Sequence, residues 1–183
     1  MTDQPQRAVP PFRDMFNIIR MTVLVALCSI AFASPSTSFA RDSLGVFSDW
    51  GAFRDPAIPR CYAIAKAAPS NQQRDNDPFA SVGTWPSSNV RGQLHLRLSR
   101  NLARGSSITL TIGSKKFTLT GSGGNAWAQN RSMDSAIVAA MRSASRMTVS
   151  ANDTNRRRFS NSYDLDGAAT AMDAATVGCA RAG

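Results

Sequence analysis

The stretch of residues 107–120, SITLTIGSKKFTLT, indicates the fold class most directly. Apolar and polar side chains alternate on both sides of Gly113-Ser114, and this alternation is typical of half-buried β-strands. A two-residue connection that begins with glycine predicts a type II′ turn, so we expect an antiparallel hairpin here. The register of the hairpin pairs Leu110 with Phe117 and Ile108 with Leu119 on one face, and Thr111 with Lys116 and Thr109 with Thr118 on the other.

Short strands of the same kind are predicted before and after the hairpin. In residues 93–98, QLHLRL, the three leucines share one face, while Gln93, His95 and Arg97 share the other. Turn-rich segments such as residues 69–78 and 121–125 separate the strands. Further strands are expected at residues 45–53, 60–66, 79–85, 126–129, 146–150 and 159–165.

Two segments have the helical period instead. Ser132 is expected to cap a helix that runs to about Ser143, and Asp166 to cap an alanine-rich helix that runs to about Ala180. The sequence therefore predicts a mainly β fold: β-sandwich-like antiparallel sheets with two short helices, one of them C-terminal.

Residues 1–40 have the pattern of a secretory signal peptide. The uncharged run of residues 21–33, MTVLVALCSIAFA, follows Arg20, and Ser38-Phe39-Ala40 supplies the small residues of a cleavage site. We expect cleavage before Arg41, a single β domain over residues 41–183, and a location in the periplasm or at the cell surface. An uncleaved anchor is the alternative, and Met15 is an alternative start because residues 1–14 are polar.

The cysteines suggest one disulfide bond. Cys28 lies within the apolar run, so export would leave Cys61 and Cys179 in an oxidising compartment with only one possible pairing. Cys61 shares a strand face with small alanines, and Cys179 lies on the apolar stripe of the last helix. We therefore expect this helix to pack on that strand; two unpaired buried thiols are the alternative.

The composition argues against most enzyme classes. All 12 acidic residues are Asp, and His95 is the only histidine. A zinc site or a Ser-His-Asp triad needs more than this inventory supplies, so we expect neither enzymatic activity nor a cofactor or metal. The Asp75-Asn76-Asp77 segment begins like a calcium loop, but Pro78 breaks the spacing, and a solvated turn is expected instead. A hydrolase with an acid-Ser site is the alternative from the enzyme class.

Several short motifs occur in a fixed order along the chain: WGAFRD at residues 50–55, RCYAIAK at 60–66, FASV at 79–82, FTL at 117–119, AW at 126–127, IVAAM at 137–141, YDLDG at 163–167 and the alanine-rich end with Cys179. Taken together, they resemble the invasion-associated locus B family of exported alphaproteobacterial proteins. The resemblance covers about residues 44–180, and it implies a β-sandwich-like exported domain with no established enzymatic activity.

The positive charge suggests the kind of partner. Lys and Arg number 21 against 12 acidic residues, a formal net charge of +9. Such a surface attracts anionic partners, for example lipopolysaccharide, an acidic polysaccharide or a host glycan. Nucleic acid is not expected, because no recognition helix or aromatic-basic motif occurs. The predicted anion-binding face consists of His95, Arg97, Thr109, Thr111, Lys116 and Thr118.

Two simpler readings remain open. The basic surface is also explained by solvation alone, as in a purely structural envelope component. Trp50, Trp85 and Trp127 each lie in or at the end of a predicted strand, where they either pack in the core or form stacking platforms for sugars or bases.

Overall fold

The computed structural model describes residues 41–180, so the predictions of a signal peptide, its cleavage site and an alternative start lie outside the described residues. The predicted mainly β, antiparallel fold with two α-helices, one of them C-terminal, is confirmed. The strands are β1 (Asp42–Phe47), β2 (Trp50–Asp55), β3 (Arg60–Lys66), β4 (Phe79–Trp85), β5 (Val90–Arg97), β6 (Ile108–Ile112), β7 (Lys115–Ser122), β8 (Asn125–Trp127), β9 (Arg146–Asn152) and β10 (Arg158–Asp164). The helices are α1 (Arg131–Met141) and α2 (Ala168–Ala180).

The strands form one hydrogen-bonded series in the order β1-β2-β3-β4-β5-β8-β7-β6-β9-β10. β7 changes partner along its length, because residues 115–119 pair with β6 while residues 120–122 pair with β8. β8 itself is three residues long and makes three residue pairs with β5 and three with β7. β7 and β8 therefore join the meander β1–β5 to the strands β6, β9 and β10.

The sheet curls, so that its first strands meet its last. The indole Nε1 of Trp50 in β2 donates a hydrogen bond to the carbonyl oxygen of Asp164 in β10, at 2.9 Å. After β3, the amide of Ala68 donates to the carbonyl oxygen of Ser162 at 2.8 Å. Trp50 is fully buried, and one continuous apolar core fills the enclosed space.

The central hairpin has the predicted register, with all four expected pairs in place. Gly113 has a φ of 56°, and Ser114 has none of the positive φ values found in this chain. This combination is the one that a type II′ turn requires. The prediction from residues 107–120 is confirmed.

The first predicted strand, residues 45–53, is instead two strands. β1 and β2 form a hairpin, in which Ser48 adopts a φ of 49° between Phe47 and Trp50. The prediction was wrong because only two polar residues interrupt the apolar pattern, and Ser48-Asp49 lacks the glycine that usually marks a two-residue turn.

Both predicted helix caps were placed incorrectly. Asn130 caps α1, since its side-chain oxygen accepts the amide of Met133 at 2.9 Å, so Ser132 lies inside the first turn. α1 ends at Met141 rather than Ser143. α2 begins at Ala168, and the carbonyl of Gly167, not of Asp166, accepts the first helical hydrogen bond. Neither helix within residues 41–180 has the length and apolarity needed to cross a membrane.

A disulfide bond links Cys61 in β3 to Cys179 in α2, with a Cα–Cα distance of 5.7 Å. α2 packs on the inner face of β3, where Cys61, Ala63 and Ala65 are buried. The small alanine side chains let the helix approach closely, and the predicted pairing and docking are confirmed.

Candidate functional site

The outer face of the strands β3, β4, β5 and β8 carries a group of aromatic side chains. Alternate residues of each strand point to opposite faces, so the inner positions fill the core and the outer positions form a separate surface. Two rows of cross-strand neighbours cross this surface: Tyr62, Gly83 and Gln93 form one, and Ile64, Ser81, His95 and Trp127 form the other.

A groove of about 480 Å³ runs over this surface. Along β4 it extends over seven residues, from Phe79 to Trp85, or about 20 Å at the usual rise of a strand. That length suits an extended chain of several units better than a single small molecule. We call this site the aromatic groove; its lining residues are Arg41, Arg60, Tyr62, Ile64, Phe79, Ser81, Gly83, Trp85, Gln93, His95 and Trp127.

Glycine determines the position of the Trp85 ring. The indole folds back over Gly83 so closely that a Cβ atom built on Gly83 would lie 2.7 Å from Cη2 and Cζ3 of Trp85. Phe53 lies over Gly51 in the same way, since a Cβ atom built on Gly51 would lie 2.7 Å from Cε2 of Phe53. Because glycine has no side chain, the aromatic ring two residues later can pack directly on the glycine backbone. This glycine-x-aromatic spacing is a sequence signal for a ring that packs over a glycine, and strand periodicity alone did not reveal it; at Gly83 the ring lines the groove.

His95 is held in the wall of the groove by three neighbours. Its ring stacks on Trp127 with centroids 5.3 Å apart and meets Phe79 edge-on at 5.5 Å. Its Nε2 lies 3.0 Å from the side-chain oxygen of Asn125, and because a carbonyl oxygen can only accept, Nε2 is the donor. His95 therefore acts here as an aromatic wall that is oriented by an amide.

Two arginines and one carboxylate lie at the other end of the groove. The Asp55 side chain is buried, and its Oδ2 lies 3.3 Å from Nη2 of Arg60 and 3.8 Å from Nε of Arg41. The guanidinium of Arg60 also lies over the Tyr62 ring, 5.0 Å from the ring centroid, in a cation–π contact. The groove thus combines an aromatic surface with a positively charged end.

The six residues of the predicted anion-binding face lie in several places. β8 and β7 separate β5 from β6, so about 14 Å of sheet lies between the strand of His95 and Arg97 and the strand of Thr109 and Thr111. His95 lines the aromatic groove, while Thr111 lines a cavity of about 570 Å³ at the turn of the central hairpin. The other positions are as follows: Thr109 lines a depression of about 200 Å³ beside Arg158, Lys116 and Thr118 are exposed, and Arg97 donates to Asn76.

The three tryptophans divide between the two readings of the sequence. Trp50 is a core residue with no exposed surface. Trp85 and Trp127 are half-buried and line the groove.

The segment that resembles the start of a calcium loop instead forms hydrogen bonds with the end of β5 and with the residues that follow it. The side-chain oxygen of Asn76 accepts from Nη2 of Arg97 at 2.6 Å, and the amide of Asp75 donates to the carbonyl of Ser99 at 2.8 Å. Within residues 41–180, no three His, Cys, Asp or Glu side chains are grouped to hold a metal ion.

Asp153 organises the basic run at residues 156–158. Burial acts to raise the pKa of its carboxyl, but hydrogen bonds from the amide of Arg157, the guanidinium of Arg100 and the amide of Asn155 outweigh that effect and hold the pKa below its ordinary value. Part of this positive charge is therefore neutralised within the fold.

Comparisons of the chain with models of protein families, with curated proteins and with solved structures found no match. Membership of the invasion-associated locus B family stays a prediction from the sequence motifs.

Proposed function

We propose that this protein is an exported, non-enzymatic binding protein of the cell envelope or cell surface, of the invasion-associated locus B type, and that it binds a sugar chain in the aromatic groove. The observation that carries the proposal is the groove itself, where Trp85, Tyr62, His95 and Trp127 lie along one open face of the sheet.

Sugar rings suit this surface chemically. A pyranose has a flat face of C–H groups and an edge of hydroxyl groups. The C–H face packs on the electron-rich face of an aromatic ring, and the hydroxyl edge needs polar partners. Ser81 and Gln93 are such partners, since both lie among the rings on the same outer face.

The charge of the chain favours a partner in the envelope. A net charge of +9 concentrates the protein near anionic polymers such as lipopolysaccharide, acidic polysaccharides or host glycans. Long-range attraction brings the protein to the polymer, and the groove makes the short-range contacts.

The surroundings of His95 support a binding role over catalysis. Nucleophilic catalysis requires the imidazole to face a nucleophile and to be oriented by an acid. Nε2 of His95 is engaged by the side-chain oxygen of Asn125, and the ring packs against Trp127 and Phe79.

The test is the affinity for neutral six-unit oligosaccharides and for purified lipopolysaccharide, measured by calorimetry on Trp127→Ala. Stacking on one aromatic ring is worth roughly 1–3 kcal/mol, so we expect affinity to fall at least about fivefold. Phe53→Ala is the control, because Phe53 lies on the same outer face and packs beside Tyr62, with centroids 5.8 Å apart, but does not itself line the groove. Equal losses in the two variants, or binding of single-stranded DNA in place of sugars, would contradict the proposal.

Export is tested separately. The native protein should begin at Arg41 when it is isolated from the envelope fraction and sequenced from its N-terminus. Intact protein that begins before Arg41 in the cytoplasm would contradict this part of the proposal.

A further inference from the structure

Among residues 41–180, the arginine end of the groove has two guanidinium groups and one carboxylate. Asp55 is the only carboxylate within 4.0 Å of Arg41 and Arg60 in the described part of the chain, and both contact the same oxygen. The adjacent Arg54 has its own partner, Asp42, with Nη2 and Oδ2 2.6 Å apart. Within the described residues, Asp55 therefore balances only part of the positive charge of Arg41 and Arg60.

Arg60 also retains hydrogen-bonding capacity. Its Nη2 contacts Asp55, while Nε is buried and makes no hydrogen bond within residues 41–180. The cation–π contact with Tyr62 keeps the guanidinium plane from turning away to find another partner. The Arg60 side chain as a whole is 29% exposed, so the accessible part of its guanidinium can bind an acceptor that a ligand supplies.

We propose that the aromatic groove selects sugar chains that carry carboxylate groups, and that Arg60 and Arg41 bind the carboxylate. This inference rests on the proposed function, because it names the class of sugar for the same groove. The positive charge at this end of the groove matches a carboxylate. A planar guanidinium also matches the two oxygens of a carboxylate, and such charge-assisted pairs are stronger than neutral ones.

The experiment compares hexagalacturonate with its full methyl ester, which has the same rings and linkages but no charge. We expect the wild type to bind the acid at least tenfold more tightly than the ester. Arg60→Gln should reduce this ratio to about one, because it weakens binding of the acid far more than binding of the ester, and Arg41→Gln should reduce the ratio in part. Arg104→Gln, at an exposed residue outside the groove, is the matched control and should keep the ratio.

Asp55→Asn tests the same idea in the opposite direction. It removes the carboxylate that competes for both arginines, so the acid should bind more tightly and the ester equally well.

The outcomes separate this inference from the proposed function. If acid and ester bind equally well and Trp127→Ala weakens both, the groove binds sugars and the inference about carboxylates is overturned. If Arg104→Gln reduces the preference for the acid as much as Arg60→Gln does, the preference reflects overall charge. That result also overturns the inference about carboxylates. If neither oligosaccharide binds, the proposed function fails, and the inference fails with it.

Discussion

Reduction of the Cys61–Cys179 bond should remove a large share of the stability of this domain. The bond closes a loop with a sequence separation of 118 residues, and in the chain-entropy treatment such a loop constrains the unfolded state by about 5 kcal/mol. Domains of this kind have a total unfolding free energy of about 5–15 kcal/mol. With an unfolding entropy of about 2.1 cal/mol/K per residue over about 140 residues, the loss corresponds to a fall in Tm of about 17 °C.

Urea unfolding measures this loss when three samples are compared. These are the oxidised protein, the same protein in excess thiol, and the double variant Cys61→Ala/Cys179→Ala. The reduced protein keeps both sulfur atoms, so its difference from the oxidised protein isolates the cross-link from the packing of the side chains. The reduced protein should also show a larger m-value, because its unfolded chain exposes more surface. A change in unfolding free energy below about 1 kcal/mol, with both thiols titratable, would refute the reasoning.

Three further predictions concern buried polar groups and the groove. Burial raises the pKa of Asp134 in the native state, although a hydrogen bond from the amide of Leu94 in β5 opposes the shift. The wild type should therefore lose stability relative to Asp134→Asn as the pH rises from about 4 through the raised native pKa. Urea unfolding of both proteins at a series of pH values measures this difference. Gly83→Ala should weaken sugar binding, because the new methyl group displaces the Trp85 indole above it. Gly51→Ala displaces the Phe53 ring, which does not line the groove, and should not weaken binding. Calorimetry on both variants measures the two affinities. Asn161→Ala should cost about 1–3 kcal/mol in urea unfolding, because it leaves the buried amide of Ser99 without its acceptor, and no measurable loss would contradict that assignment.

Local features of the fold could be predicted from the sequence, because neighbouring residues determine them. The register of the central hairpin follows from alternation and one glycine, and the inward stripe of α2 follows from the helical period. The caps were harder, because Asn130 and Ser132 are both good capping residues two positions apart, and the choice depends on where α1 must begin to place Asp134 against β5.

The aromatic groove could not be predicted from the same patterns. Its rings come from β3, β4, β5 and β8, and the pairing of β5 with β8 spans the whole β6–β7 hairpin in the sequence. No local pattern indicates that Trp127 lies beside His95. The two arginines are also far from the last ring in sequence, since Arg60 and Trp127 meet in one groove only after the meander and β8 have assembled.

The short length of β8 has a consequence for the motions of the molecule. With three residue pairs on each side, β8 is the narrowest connection between the meander and the rest of the sheet. Regions held by few hydrogen bonds open locally more often than regions with long ladders. The last residue of β8 is Trp127, which forms a wall of the groove, so a sugar stacked on it would hold this connection closed. Occupancy of the groove should therefore slow amide hydrogen exchange at residues 125–127 more than in the long ladder between β9 and β10, and the two parts of the sheet would then move together when the ligand is bound.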